Sequence, residues 1–114
     1  MFQSKDRMTS EVKENIRGGN GAVTFTHVFT AQETFNKARL CAVLEFPPGA
    51  SIGSHAHNPD AEMYYVLEGE LTVVENGISK VLMPGDAAFT GGGGTHSVAN
   101  LGKSHARMLA VIFE

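Results

Sequence analysis

Residues 49–69 read Gly49-Ala50-Ser51-Ile52-Gly53-Ser54-His55-Ala56-His57-Asn58-Pro59-Asp60-Ala61-Glu62-Met63-Tyr64-Tyr65-Val66-Leu67-Glu68-Gly69. His55 and His57 stand two apart, so on an extended chain both imidazoles leave the same face. Glu62 follows five residues later, past a proline-containing loop, at the start of a strand expected over 62–67. A third imidazole, His96, stands beyond the run Gly91-Gly92-Gly93-Gly94. Two imidazoles on one strand, a carboxylate on its neighbour and a third imidazole from across a barrel can converge. Three nitrogens and one oxygen suit Mn, Fe, Co, Ni, Cu or Zn. An H-x-H pair alone means little, and its weight comes from the punctuation around it.

That punctuation is the punctuation of a β protein. Residues 22–30 alternate, with Val23, Phe25, His27 and Phe29 on one face and Ala22, Thr24, Thr26 and Thr30 on the other, which reads as a strand. Residues 31–38 read as a connection. Residues 39–46 form a second strand that stops at Pro47-Pro48-Gly49. Strands over 70–75 and 78–83 flank Asn76-Gly77, a strong hairpin signal. After the turn Pro84-Gly85-Asp86 come strands near 87–90, 95–99 and 106–113, the last two separated by Asn100-Leu101-Gly102. Eight or nine short strands with turns at regular spacing imply a sandwich or barrel. Residues 1–21 are polar and read as an N-terminal arm on a domain spanning 22–114. Within the arm, Thr9 or Ser10 reads as the cap of a short helix through Ile16, with Gly18-Gly19 as its stop.

The chain has 114 residues, enough for one domain and one core. With 9 Lys plus Arg against 12 Asp plus Glu, the net charge of −3 supplies no strong field for nucleic acid or an anionic membrane. Apolar residues at 42% and charged residues at 18% describe a globular rather than a disordered chain. One cysteine, Cys41, excludes a disulfide within the chain and fits a reducing compartment. No apolar run reaches the length of a membrane helix, and the polar start Met1–Arg7 is not followed by the apolar stretch of a signal peptide. The expectation is a cytoplasmic domain.

Here the sequence resembles the cupin superfamily, in its small single-domain form. That family's first motif is a glycine, five residues, H-x-H, three or four residues, a glutamate, six residues and a glycine. Gly49, His55, His57, Glu62 and Gly69 fill every fixed position. The second motif is a glycine, five residues, P-x-G, two residues, a histidine, three residues and an asparagine. Gly85, Gly93, His96 and Asn100 match it, with Gly91 in place of the proline. The resemblance covers about residues 39–113. It implies an all-β, double-stranded β-helix of jelly-roll kind, with one divalent transition metal ion (Mn, Fe, Zn or Ni) on His55, His57, Glu62 and His96. It also implies pairing as a homodimer, to which the strand at 22–30 can contribute. The same fold serves oxygenases, decarboxylases, isomerases and lyases, so it leaves the reaction open.

Other features have plainer readings. The four-glycine run lacks the Gly-Lys-Ser/Thr ending of a phosphate loop and reads as a turn into the His96 strand, able to gate access to the metal. His27 reads as a core or interface histidine, His105 as exposed, and Cys41 as a small strand residue facing away from the interior. Strand parity turns Tyr64 and Val66 inward with Glu62, and turns Leu40, Ala42, Leu44 and Phe46 inward from their strand. The family's layout adds Met108, Ala110 and Ile112. The cavity so composed is apolar, with Tyr64 as its only added proton-transfer group and no Arg or Lys to hold a phosphosugar.

Two functions stand beside each other on this reading. One is a metalloprotein that binds and polarises a small oxygen-bearing molecule, with O₂ as a possible co-reactant and Tyr64 as the candidate catalytic group. The other is a non-catalytic binding or sensing module with a structural metal. A storage-type structural protein is a third and weaker reading. All take a small molecule as partner, with neither nucleic acid nor membrane involved.

Overall fold

The computed structural model describes all residues, 1–114. Ten strands account for the architecture: β1 (Thr9–Glu14), β2 (Ala22–His27), β3 (Ala38–Phe46), β4 (Ser51–Ala56), β5 (Ala61–Glu68), β6 (Leu71–Glu75), β7 (Ile78–Leu82), β8 (Ala87–Thr90), β9 (Thr95–Ala99) and β10 (Ala106–Phe113). They form a six-stranded sheet in the order β1-β2-β3-β10-β5-β8 and a four-stranded sheet in the order β4-β9-β6-β7. Every pairing is antiparallel. The architecture is the expected double-stranded β-helix. No helix is long and apolar enough to cross a membrane.

The alternation of the sequence becomes the core. On β3 the even positions Ala42, Leu44 and Phe46 are buried, while Arg39 and Glu45 are not. Tyr64 and Val66 on β5 and Met108 and Ala110 on β10 join them from the same sheet. Ile52, Leu71, Val73, Leu82 and Val98 close the cluster from the other sheet. Fully burying one such side chain stabilises the fold by about 1.5–3 kcal/mol before entropy is counted. Cys41 lies out of phase, half-buried, as expected.

The turns also do what their residues require. Asn76 and Gly77 both take positive φ, 49° and 81°, as a two-residue hairpin of right-handed twist demands. The same Asn76 braces β9, accepting from the Thr95 amide at 2.9 Å through its Oδ1 while its own amide donates to the Thr95 carbonyl. The hairpin turn therefore fixes the strand that carries His96.

The arm differs from the expectation. Thr9–Glu14 is not a helix but the edge strand β1, in register with β2 from Thr9↔His27 to Glu14↔Ala22. All six of its residues are exposed, so no apolar stripe was available to anchor a helix. Pairing with β2 satisfies its backbone, and Thr9, Ser10 and Val12 suit a strand. The Ser10 and Thr26 hydroxyls meet at 2.8 Å across the pair. Gly18-Gly19 does end the next short element, a 3₁₀ turn over Ile16–Gly18.

Candidate metal centre

The four residues singled out from sequence come together. His55 lies on β4, His57 just past its end, Glu62 on β5 and His96 on β9. His55 and His96 are direct cross-strand partners, next to a register shift between Ile52 and His55. Such a bulge re-aims side chains beside a site. The glycine run positions the other side: the Gly93 amide donates to the His57 carbonyl and the His57 amide to that of Gly94. Gly92 and Gly93 take φ of 64° and 86°, which only glycine adopts freely. A Cβ at Gly91 would lie 2.8 Å from the Ala61 methyl, so the residue that departs from the motif's proline occupies a place with no room for a ring.

One potential donor atom from each of the four residues lies within 4.8 Å of every other. Nε2 of His57 is 3.0 Å from Oε1 of Glu62 and 3.1 Å from Nε2 of His96. Nε2 of His96 is 3.0 Å from both Nε2 of His55 and Oε1 of Glu62, and His55 lies 3.8 Å from that oxygen. Adjacent ligands on a transition ion with bonds of about 2.1 Å are separated by roughly 3 Å. Apart from the half-buried His55, the cluster is almost sealed from solvent, with His57 3%, Glu62 4% and His96 1% exposed.

The outer bonds settle which atoms face inward. Nδ1 of His55 donates to the Gly53 carbonyl at 2.8 Å, and Nδ1 of His57 donates to Oδ1 of Asp60 at 3.0 Å. With the proton on Nδ1, each neutral ring turns a bare Nε2 lone pair toward the cluster. Lone pairs facing one another in a dry site repel unless a cation lies between them. The donor set therefore fits a divalent metal, and Asp60 is a supporting residue that the sequence reading passed over. Its signal was present: a carboxylate three residues after His57 in the same loop. Asp60 also bonds Arg39, which reaches Glu114 at 3.5 Å. Nδ1 of His96 has no partner and is buried.

The charges follow this arrangement. In the metal-free protein, burial pushes the Glu62 carboxyl up, but the attraction of the facing His55, His96 and His57 imidazoles outweighs it, holding the group at about 2. In the same state the facing Glu62 carboxylate raises His55, against its own burial. Burial, reinforced by the Glu62 charge, pushes the Tyr64 phenol well above its ordinary value. Tyr64 therefore keeps its proton at neutral pH and acts as a donor, not a base. Its ring stacks on His96 at 4.6 Å and 6°, with the hydroxyl 3.2 Å from the His96 Nε2.

A cavity of about 410 Å³ opens from the cluster, and Leu40, Leu44, Ile52 and Ile112 give it the expected apolar wall. Its rim corrects the expectation of an apolar pocket without Arg or Lys: Lys13, Arg17, Arg39 and His27 line it as well. The arm brings two of these cations, because β1 continues the sheet and the turn after it folds over β4. His27, read as a core or interface residue, sits at this rim paired with Glu11.

The family model for the cupin domain matches residues 42–112. This chain is a cupin. It is 39% identical over 98% of its length, and 93% of the relative's, to a Thermotoga maritima protein called an oxalate-binding protein. A Thermotoga maritima crystal structure described as a predicted oxalate decarboxylase superposes with a TM-score of 0.93 at 39% identity, covering 99% of this chain and 98% of the other. A Thermus thermophilus protein follows at 31% identity and a TM-score of 0.71, over 80% of this cupin and 82% of that chain. An RmlC-like cupin from Shewanella frigidimarina, 21% identical with a TM-score of 0.73 over 98% and 88% of the two chains, shares the fold.

Proposed function

We propose that His55, His57, Glu62 and His96 hold one divalent transition ion (Mn, Fe, Zn or Ni) and that this cupin uses it to capture a small carboxylate of the oxalate class. The observation that carries the reading is the pair of outer bonds, from His55 to the Gly53 carbonyl and from His57 to the Asp60 carboxylate, which leave bare Nε2 atoms facing Glu62 and His96. When bound, the ion supplies a Lewis acid that accepts carboxylate oxygens and polarises the bonds behind them.

The chain's own residues do the rest. Three neutral imidazoles and one carboxylate leave a divalent ion with residual positive charge, which favours an anionic ligand. Leu40, Leu44 and Ile112 keep water from the ligand and so strengthen that attraction. Tyr64 offers its proton to a ligand oxygen beside His96. The name of the Thermotoga relative supports the oxalate class.

Capture without turnover is favoured over catalysis by one feature of the site. Beyond the four ligands, the buried part of the cavity holds Tyr64 alone as a proton-transfer group, and it keeps its proton. The test is calorimetric titration of the metal-loaded protein with oxalate, with formate and CO₂ release followed in parallel. The reading expects saturable binding that chelator abolishes, and no product. Product release that His96→Ala abolishes turns the reading to a decarboxylase. Absence of binding by the metal-loaded protein refutes it.

The same proposal includes a homodimer in the cytoplasm. The outer face of the six-stranded sheet carries Met63, Tyr65, Leu67, Phe89, Val111 and Phe113, and Phe89 is 59% exposed. A contiguous apolar face of this kind is what a second copy covers.

A further inference from the structure

We propose that Arg17, carried by the N-terminal arm, is the specificity determinant of the site: it holds the end of the ligand that points away from the metal and so selects a dianion over a monocarboxylate. This rests on the reading of the cavity as a carboxylate site.

Arg17 lines the same cavity as His55, His57 and Glu62. The other arginine of the rim is already engaged, since Arg39 bonds Asp60 and Glu114. Lys13 lies over the Phe25 ring, 4.8 Å from its centre. Arg17 makes no ion pair and no side-chain hydrogen bond. A guanidinium presents a planar fork that matches a carboxylate in two parallel hydrogen bonds. One left free beside a cluster suited to a metal has its partner still to come.

The backbone holds Arg17 in place at a cost. Its φ and ψ are 55° and 33°, in the left-handed region, and Asn15 before it has φ 52°. Non-glycine residues are strained there and persist only where surroundings enforce them. The enforcing contact is between two glycines. A Cβ on Gly53 would lie 2.0 Å from the Arg17 carbonyl oxygen, and a Cβ on Gly19 would lie 2.3 Å from that of Ser51. Only bare backbone permits the arm to approach β4 so closely. The Asn20 amide then donates to the Ser51 hydroxyl at 2.9 Å, and the Ser51 amide to the Asn20 carbonyl at 2.8 Å. Gly53 is also the residue whose carbonyl receives the His55 proton. One glycine thus ties the arm and a candidate metal ligand to a single frame, which sets the distance between Arg17 and the cluster.

The test compares oxalate with glycolate, which presents one carboxylate and one hydroxyl to a metal but carries a single charge. Both are titrated into metal-loaded wild type, Arg17→Gln and Arg17→Lys at neutral pH, with metal content measured on every sample. The expected result is a loss of roughly 10–100-fold in oxalate affinity for Arg17→Gln. Glycolate affinity should stay within about twofold, and metal content should not change. Arg17→Lys, which keeps the charge but not the fork, should lie between. Gly19→Ala leaves Arg17 in the chain but displaces the turn, and should reproduce the loss of oxalate preference. If wild type binds both acids without preferring oxalate, or prefers oxalate and Arg17→Gln keeps that preference, this inference is overturned while the carboxylate reading stands. If wild type binds neither acid, both fall.

Discussion

Asp60 offers a test of whether the outer bonds matter. Its carboxylate accepts the Nδ1 proton of His57 at 3.0 Å, and its side chain is only 12% exposed. Outer partners of ligating imidazoles are worth about 10–100-fold in metal affinity, or about 1.4–2.7 kcal/mol. Arg39 already shares the Asp60 charge, which lowers the carboxylate's pull on the imidazole and places Asp60→Ala near the lower end, about tenfold. Asp60→Asn keeps an acceptor without the charge and should lose less, roughly threefold. Arg39→Ala breaks the same ion pair from the other side but leaves His57 bonded, so its affinity should stay near wild type. The assay is competition for Zn or Mn against a chromophoric chelator at fixed pH and salt. Thermal melts of the metal-free proteins separate loss of fold from loss of affinity. An Asp60→Ala affinity within twofold of wild type would refute the argument that this bond orients the His57 lone pair.

Further outcomes follow from the same geometry. Asn100 is fully buried, donates to the Phe46 and Ser104 carbonyls at 2.8 Å each and accepts from the Gly102 amide at 3.0 Å. Asn100→Ala should therefore cost about 2–4 kcal/mol in urea unfolding, since it strands buried groups, and a cost below 1 kcal/mol would contradict this. In the metal-free protein, Glu62 lies at about 2 against an ordinary 4.5, so it contributes on the order of 3 kcal/mol above pH 4.5 that is lost as pH falls toward 2. His55 is raised above its ordinary 6.5, so its contribution is full below 6.5 and is lost as pH climbs through the raised value. Stability of chelator-treated protein should peak between about 4.5 and 6.5 in urea titrations, and a continued rise past neutral pH would count against the account. Light scattering should give a mass of two chains for wild type and one for Phe89→Lys, and a single-chain mass for wild type would remove the dimer.

Much of the fold and of the candidate metal cluster was legible in the sequence because both depend on local rules. Alternation placed Leu44, Phe46, Tyr64 and Val66 inside, and Asn76-Gly77 marked a hairpin that the structure contains. The spacing from His55 to Glu62 kept three potential donors together across the short link between β4 and β5, which lie in the two facing sheets. The arm was harder. An edge strand exposed on both faces shows no period-two burial, and Thr9, Ser10 and Gly18-Gly19 imitate the ends of a helix. β4 was visible only through its H-x-H, since Gly53 and Ser54 break the apolar alternation beside a bulge. The cationic rim depends on where the arm lands, and that is set by backbone contact between residues 17–20 and 51–53, which no local pattern announces.

The central claim is that the four-residue cluster holds a metal, and elemental analysis of the untagged protein, before and after chelation and re-soaking with Mn, Fe, Ni and Zn salts, tests it most directly. The account predicts close to one divalent transition ion per chain in the wild type and close to none in His57→Ala. A wild-type protein that carries no metal and takes none up would contradict it.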